Sequence, residues 1–453
     1  MGAGKSTAAR DVARRIGRTG SDLDRMIENA AGDAVPALFQ RHGEAEFRRI
    51  EENETVFQLE VGEPDVFALG GGAVLSEEVR ERLRERAFTV WLDVDVDTCW
   101  ERVRGSDRPL GQDEVQFRRL YEERRPLYEE VADARASDAD GVVLAAAAVR
   151  VETGGLARLP ELVDARPVEL ASDERVLELH RPPLDAPVHV LPRGEDAKTL
   201  GAVEALWRAL RLGRGGVLVA LGGGCVTDSA GFAAATYLRG VDWIPVPTTL
   251  VGQVDAGIGG KTAINLAEGK NLVGAFHWPL VTLTDPALLA TLPEQQRREG
   301  MAEAVKTGLL AGEPLWELPD AELVSRCAAY KSALCLRDPH DRGDRRWLNL
   351  GHTFAHALET AAGYDERLTH GEAVALGMLA ALRLSGRSTD VVEETLAPER
   401  ARVDRDRAWE ALQRDKKRRG DDVTLVLLDS DGPVVRDLPA TDVRHALDEL
   451  IAD

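Results

Sequence analysis

Twice in this chain a short, largely apolar segment runs directly into three consecutive glycines. Residues 65–69 precede the triplet 70–72, and residues 217–221 precede the triplet 222–224. An apolar run of this length predicts a strand buried on both faces, as in parallel sheets covered by helices. Glycines after such a strand permit a tight turn into a helix and close approach of a ligand. The sequence therefore predicts an α/β protein with a candidate ligand site at each triplet.

Domain organisation follows from length and rhythm. The chain has 453 residues, about three times the length expected of one domain. Helical and strand patterns alternate over the first 130 or so residues, and an Ala-rich stretch then leads to a boundary near residue 155. A second α/β rhythm ends at Pro293. We therefore predict a parallel-sheet domain at 1–150, a second α/β domain at 155–293 and a mainly helical domain at 294–453.

Composition excludes several classes of protein. Hydrophobic residues make up 44% and charged residues 30%, which is typical of a globular chain, and the net charge of −21 disfavours nucleic acid and anionic membranes as partners. A solvated helix face is the simpler interpretation of the basic run 416–419. The sequence contains no apolar stretch long enough for a membrane span and no signal-peptide pattern, so we expect a cytoplasmic protein. Its four cysteines form no CxxC pair and are expected to be core residues.

The first residues carry a phosphate-binding motif. Residues 2–7, GAGKST, match the second half of a Walker A loop, in which backbone N–H groups and a lysine hold phosphates and a serine binds Mg²⁺. The full motif also has an earlier glycine and a preceding strand, and Met1 falls after both. We therefore expect either a start further upstream or an impaired loop.

Further polar residues accompany this loop. Asp22 and Asp24 form a DxD, although Asp22 could instead be a helix N-cap, and Arg124 could be an ordinary surface arginine. In order and spacing, residues 1–140 resemble shikimate kinase, through 2–7, 22–24, 47–51, 70–74, 108–110 and 123–128. The resemblance implies ATP and Mg²⁺ held by Gly4, Lys5, Ser6, Thr7, Asp22 and the lid residue Arg108. It assigns shikimate binding to Asp24, Arg48, Gly71, Gly72 and Arg124.

The second half of the chain combines a nucleotide motif with candidate metal ligands. The triplet 222–224 lies between 194–198 and 247–249, two segments that favour a nucleotide over a simple tight turn. His352 and His356 are spaced four residues apart, on one face of a predicted helix, with Glu303 and His370 as further candidate ligands. A purely structural histidine pair is the alternative. One glutamate and two histidines would satisfy a catalytic zinc site with an open position.

From residue 155 onward the chain closely resembles 3-dehydroquinate synthase. The resemblance rests on segments 194–198, 222–228, 237–240, 247–249, 254–255, 259–262, 269–272, 301–306, 348–353, 370–372 and 415–417. It implies Zn²⁺ or Co²⁺ bound by Glu303, His352 and His370, with His356 handling protons. It implies a substrate pocket formed by Arg239, Asp255, Lys261, Asn271, Lys306, Arg345, Asn349 and one of Lys416 or Lys417. It implies NAD against Asp173, Glu195, Lys198, Gly224, Cys225, Val226, Thr227, Asp228, Thr248, Thr249, Lys270 and Thr291.

Together the two resemblances imply a fused shikimate-pathway enzyme, with a P-loop kinase domain, a Rossmann-like NAD domain and a helical metal domain. The substrates are small molecules, namely a heptulosonate phosphate, shikimate and ATP, and a homodimer is left open. One rival is a related sugar-phosphate cyclase that acts on another ketose phosphate. The kinase-like part would then serve as a non-catalytic docking module.

Overall fold

The computed structural model describes residues 2–62, 65–105, 113–363, 367–415 and 422–452. The chain forms two compact units, Met1–Ala147 and Ala148–Asp453. The division lies a few residues before the predicted boundary because residues 149–151 pair with a strand of the second unit. No helix within the described residues is long and apolar enough to cross a membrane.

Short strands alternate with helices throughout the first unit. In chain order, its elements are α1 (Lys5–Arg15), β1 (Gly20–Asp22), α2 (Leu23–Ala31), α3 (Val35–Val61), β2 (Val66–Ala68), α4 (Glu77–Arg86), β3 (Val90–Leu92), α5 (Val96–Val103), α6 (Glu114–Val131), β4 (Ala134–Ala136) and α7 (Ala139–Ala146). Apolar side chains of α2, α3 and α4 form a core that includes Leu23, Ile27, Phe47 and Val79.

The strands of this unit form two separate parallel pairs. β1 pairs with β2, and β3 pairs with β4. Among the described residues no strand joins β2 to β3, and a cavity of about 550 Å³ is lined by both. Ala68 and Leu92 contribute to its wall from the strands, and Val12 contributes from α1. The cavity is therefore bordered by strand edges and by the helix that follows the phosphate loop.

The second unit begins with α/β structure. Its first elements are β5 (Val149–Val151), α8 (Leu159–Val163), β6 (Val168–Asp173), α9 (Glu174–Leu179), β7 (Val188–Leu191), α10 (Leu200–Ala209), β8 (Val217–Gly222), α11 (Gly224–Thr236), β9 (Asp242–Pro247), β10 (Lys261–Leu266), β11 (Gly269–Phe276) and β12 (Thr282–Thr284). Strands β7, β6, β8 and β9 form a parallel sheet in that order. All six residues of β8 are buried, as its apolar run predicts.

The remainder is mainly helical. It comprises α12 (Glu294–Ala311), α13 (Asp320–Arg337), α14 (His352–Ala362), α15 (His370–Leu384), α16 (Asp390–Leu396), α17 (Arg405–Asp415), β13 (Asp422–Asp429), β14 (Gly432–Pro439) and α18 (Ala440–Asp448). Strands β13 and β14 form an antiparallel hairpin that the sequence patterns did not indicate. Helices α14 and α15 share a core with this hairpin, and Phe354 and Met378 are fully buried in it. This shared core packs α14 against α15, whose first residues are His352 and His370.

Candidate active site

In the second unit, the carboxyl ends of three parallel strands meet at one crevice. Asp173 ends β6, Gly222 ends β8 and leads through Gly223 into α11, and Thr248 follows β9. Strand β6 lies between β7 and β8, so the chain crosses from one side of the sheet to the other at this edge. Parallel α/β sheets bind ligands at such crossover points.

A cavity of about 970 Å³ occupies this crevice. It is lined by the predicted dinucleotide residues Asp173, Glu195, Lys198, Gly224, Cys225, Val226, Asp228, Thr248, Thr249, Lys270 and Thr291. It is also lined by the predicted substrate and metal residues Asp255, Lys261, Asn271, Lys306, Arg345, Asn349, His352, His356 and His370. One cavity is thus lined both by residues predicted to bind the dinucleotide and by residues predicted to bind substrate and metal.

The start of α11 forms one wall of the cavity. Helix α11 begins at Gly224, where a side chain would approach Ala256, and a Cβ at Gly223 would lie 3.0 Å from the Thr249 methyl carbon. This close packing and the free N–H groups at the helix start suit a pyrophosphate. Thr227 does not line the cavity, because its side chain is buried and its hydroxyl donates to the Gly224 carbonyl at 3.1 Å.

Ion pairs hold the loops around this wall, and the Lys198–Asp228 pair is the more buried of the two. Lys198 Nζ lies 2.5 Å from Asp228 Oδ2 and also donates to Asn271 Oδ1. Burial lowers the pKa of Lys198, but the Asp228 carboxylate outweighs it and raises the pKa above its ordinary value. Lys270 Nζ lies 2.9 Å from Glu195 Oε1. These lysines tie the hairpin β10–β11 to the segment 194–198, and that segment to α11.

Three candidate metal ligands converge beside the cavity: His352 and His370 line it, and Glu303 is fully buried next to them. Glu303 from α12, His352 from α14 and His370 from α15 place one ligand atom each within 4.8 Å of the others. Glu303 Oε1 lies 3.5 Å from His352 Nε2 and 3.3 Å from His370 Nε2. One carboxylate oxygen and two imidazole nitrogens are a donor set that Zn²⁺ and Co²⁺ accept. The residues present therefore fit the metal that the sequence implies.

The electrostatics favour the metal-binding forms of Glu303 and His352, but not of His370. Burial lowers the pKa of His370, but the Glu303 and Glu359 carboxylates outweigh it and raise the pKa to about 10. Burial raises the pKa of Glu303, but the Lys306 ammonium and the neighbouring imidazoles outweigh it and hold the pKa well below its ordinary range. Burial and the nearby Lys306 charge lower the pKa of His352. His352 Nδ1 lies 3.2 Å from the Leu350 carbonyl, which can only accept. With a metal bound, the Nδ1 proton would point to that carbonyl and leave Nε2 as the ligand.

Glu359 and Lys331 are among the residues of the cavity that the sequence analysis did not identify. Glu359 lies on the same face of α14 as His352 and His356, and its Oε1 is 3.4 Å from His370 Nδ1. Burial raises the pKa of Glu359, but His370 and nearby cations outweigh it and lower the pKa to about 2. Lys331 Nζ lies 2.8 Å from Asp255 Oδ1. The spacing of Glu359 from the histidine pair was visible in the sequence, whereas only the fold brings Lys331 to Asp255.

The predicted substrate residues differ in burial. Lys306 and Arg345 are almost fully buried, whereas the Lys261 side chain is 50% exposed and pairs with Asp341. Arg239 does not line this cavity: it lies in an exposed turn after α11 with φ 71°, in the left-handed region. Lys416 and Lys417 lie outside the described residues.

In the first unit, the phosphate motif begins a helix. Gly4 has φ 88° and precedes Lys5, the first residue of α1, so the loop needs glycine at this position. The first turn of α1, which carries Lys5, Ser6 and Thr7, therefore starts at this loop, where the helix dipole favours a phosphate. Asp22 ends β1 and caps α2 by accepting from the Arg25 N–H at 3.4 Å, which matches the N-cap interpretation. Arg108 lies outside the described residues.

The first glycine triplet contacts two of the predicted arginines. Arg124 is buried and donates to the Gly71 carbonyl at 3.1 Å, which excludes its interpretation as a surface arginine. The Arg48 guanidinium occupies the space in which a side chain at Gly72 would lie, so a Cβ there would overlap it. Asp24 Oδ1 would be 3.5 Å from a Cβ at Gly70. These residues lie together and place two guanidinium groups beside the backbone of the glycine triplet.

Comparison with protein families agrees with this division of the chain. Residues 1–150 match the family model for shikimate kinase. Residues 188–299 and 300–418 match the N-terminal and C-terminal models for 3-dehydroquinate synthase. The 3-dehydroquinate synthase of Arthrobacter sp. is 39% identical over 347 residues, which cover 67% of this chain and 94% of that protein. The enzyme of Latilactobacillus sakei is 40% identical over 278 residues, covering 56% of this chain and 78% of that protein.

Solved structures resemble the same part of the chain. A 2-epi-5-epi-valiolone synthase from Streptomyces hygroscopicus, solved with NAD⁺ and Zn²⁺, has a TM-score of 0.58 at 29% identity and covers 67% of this chain and 96% of its own. A 2-deoxy-scyllo-inosose synthase, solved with NAD⁺ and Co²⁺, has a TM-score of 0.59 at 25% identity, covering 66% and 96%. The chain belongs to the 3-dehydroquinate synthase family, and its first 150 residues match shikimate kinase.

Proposed function

We propose that the second unit converts 3-deoxy-D-arabino-heptulosonate 7-phosphate to 3-dehydroquinate and phosphate, using NAD and Zn²⁺ or Co²⁺. The observation that carries this proposal is that one cavity is lined both by the start of α11 and by His352 and His370, which lie against the buried Glu303. When bound, NAD would accept and return a hydride, and the divalent ion would polarise a substrate oxygen. The remaining chemistry belongs to the protein's own side chains.

The cations of the cavity suit a substrate with a carboxylate and a phosphate. Lys306 and Arg345 are fixed by buried contacts and would orient the anionic groups, while half-exposed Lys261 can follow the substrate. Asn349 would add a neutral hydrogen-bonding group. On a chain with a net charge of −21, this local excess of cations is what attracts an anionic substrate.

His356 is proposed to move protons at the substrate. Its imidazole is exposed to the cavity, and its ring centroid lies 5.6 Å from that of His352. Imidazole is the side-chain group best suited to accept and donate protons at neutral pH. Because His356 lies one helical turn beyond His352, a substrate held at the metal cluster would also meet the His356 ring.

The first unit is proposed to be a shikimate kinase. Gly4, Lys5 and Thr7 would hold the phosphates of ATP, with Mg²⁺ at Ser6 and Asp22. The guanidinium groups of Arg48 and Arg124, beside Gly71, Gly72 and Asp24, would bind the carboxylate and hydroxyl groups of shikimate. We place both activities in the cytoplasm, where ATP and NAD are available.

The rival function is cyclisation of another ketose phosphate beside a non-catalytic kinase-like unit. Identity favours the dehydroquinate reaction, at 39% to the Arthrobacter synthase against 29% to the valiolone synthase. The decisive assay follows phosphate release and product identity with the heptulosonate phosphate and a panel of other ketose phosphates, with NAD and zinc present. Turnover of another ketose alone would refute the proposal. Failure to bind ATP would refute the kinase assignment.

A further inference from the structure

Each imidazole of the metal cluster has its own orienting group. His352 Nδ1 faces the Leu350 carbonyl at 3.2 Å, and His370 Nδ1 faces Glu359 Oε1 at 3.4 Å. The first group is backbone and is held by the fold. The second is a side chain, so a substitution can remove it without changing a ligand.

Glu359 is held in place from both sides. The side chain is 7% exposed and lies one helical turn from His356 on α14. Its Oε1 lies 3.7 Å from Lys270 Nζ, and the same ammonium lies 2.9 Å from Glu195 Oε1. A continuous row of polar contacts therefore runs from Glu195, which was predicted to contact NAD, through Lys270 and Glu359 to His370.

We propose that Glu359 is a positioning residue that holds His370 with its Nε2 lone pair toward the metal, and that Lys270 in turn holds Glu359. A carboxylate facing Nδ1 keeps the proton on that nitrogen and leaves Nε2 as the ligand. Lys270, which was predicted to contact NAD, thereby also supports the metal site. This inference rests on the metal site of the proposed function.

The test is zinc affinity, measured on the full chain by competition with a chromophoric chelator in the absence of substrate and NAD. Loss of an orienting group of this kind weakens metal binding about 10- to 100-fold. Glu359→Leu should show that loss. Glu359→Gln keeps an acceptor for Nδ1–H and should stay within about fivefold of the unmodified chain, which keeps the test valid if the leucine variant folds poorly.

Glu299→Gln is the matched control. Glu299 lines the same cavity and its carboxylate acts electrostatically on His370, but no hydrogen bond or ion pair to that ring is found among the described residues. If Glu359 positions the ring, Glu299→Gln leaves zinc affinity within about threefold. Two results would mean that charge alone matters and would overturn the proposal: equal losses in the Glu299 and Glu359 variants, or a loss in Glu359→Gln as large as that in Glu359→Leu.

A double-mutant cycle tests the role of Lys270. Lys270→Met should weaken zinc binding severalfold in the unmodified chain and have no further effect in the Glu359→Leu background, because the contact it supports is already gone. Additive losses would refute the link through Glu359. If the unmodified chain binds no zinc, the metal site of the proposed function fails together with this inference. Normal zinc binding by Glu359→Leu would refute the inference alone.

Discussion

Arg345 and Lys261 are both proposed to bind substrate, yet the structure predicts that replacing Arg345 lowers the stability of the fold far more than replacing Lys261. From sequence alone, each would be expected to lose activity and keep its fold. Arg345 is 2% exposed, and its guanidinium donates to the Gly259 carbonyl at 3.0 Å and the Pro339 carbonyl at 3.2 Å. Gly259 has φ 90°, and a Cβ there would lie 2.6 Å from an Arg345 nitrogen.

The magnitude follows from these contacts. Each hydrogen bond from a charged donor contributes roughly 1.5–3 kcal/mol, and Arg345→Met loses two while retaining part of the apolar packing. We expect a loss of about 3 kcal/mol in the free energy of unfolding. Lys261 is half-exposed with one ion pair, so Lys261→Met should cost no more than about 1 kcal/mol. For a unit of this size, the loss in Arg345→Met should lower Tm by about 6 °C, and the loss in Lys261→Met should lower it by at most about 2 °C.

The assay is differential scanning calorimetry of both variants, followed by steady-state kinetics below the lower Tm. Both variants should show severely reduced kcat/KM for the heptulosonate phosphate, and only Arg345→Met should unfold early. An Arg345→Met protein with unchanged Tm would refute the argument that its backbone contacts stabilise the fold. An equal fall in the Tm of Lys261→Met would refute the argument from exposure.

Three further predictions concern the metal, the thiols and the first unit. His352→Ala should abolish metal-dependent turnover, as should exhaustive chelation of the unmodified enzyme, and full activity without bound metal would contradict the assignment. Burial raises the pKa of Cys225 and Cys327 to about 12, so at pH 8 only about one thiol in 10⁴ is ionised. A disulfide reagent should therefore modify these cysteines slowly in the folded protein and faster once urea unfolds it. An apolar strand supplied ahead of Gly2, about 10 to 20 residues long, should pair with the edges of β2 and β3 and raise shikimate-dependent ADP formation about 10²-fold. Equal activity with and without that strand would contradict the last prediction.

The sequence by itself determined the features that depend on neighbours along the chain. The apolar runs before the two glycine triplets predicted parallel strands, and the spacing of His352 and His356 predicted one helix face. Strand β8 is buried throughout as predicted, whereas only Ala68 of β2 is buried. The predictions of strand and helix succeeded because these patterns are local properties. The family resemblance followed from the same local motifs and is confirmed by the family matches.

Only the tertiary structure decided which distant residues meet and how deeply they are buried. The carboxylate of Glu359 could be placed beside His370 only once α14 and α15 were packed together. The burial of Arg345 depends on its contact with the Gly259 carbonyl. Arg239 lies in an exposed turn and does not line the cavity. Contacts between remote segments depend on how helices and sheets pack, and no local pattern records that packing.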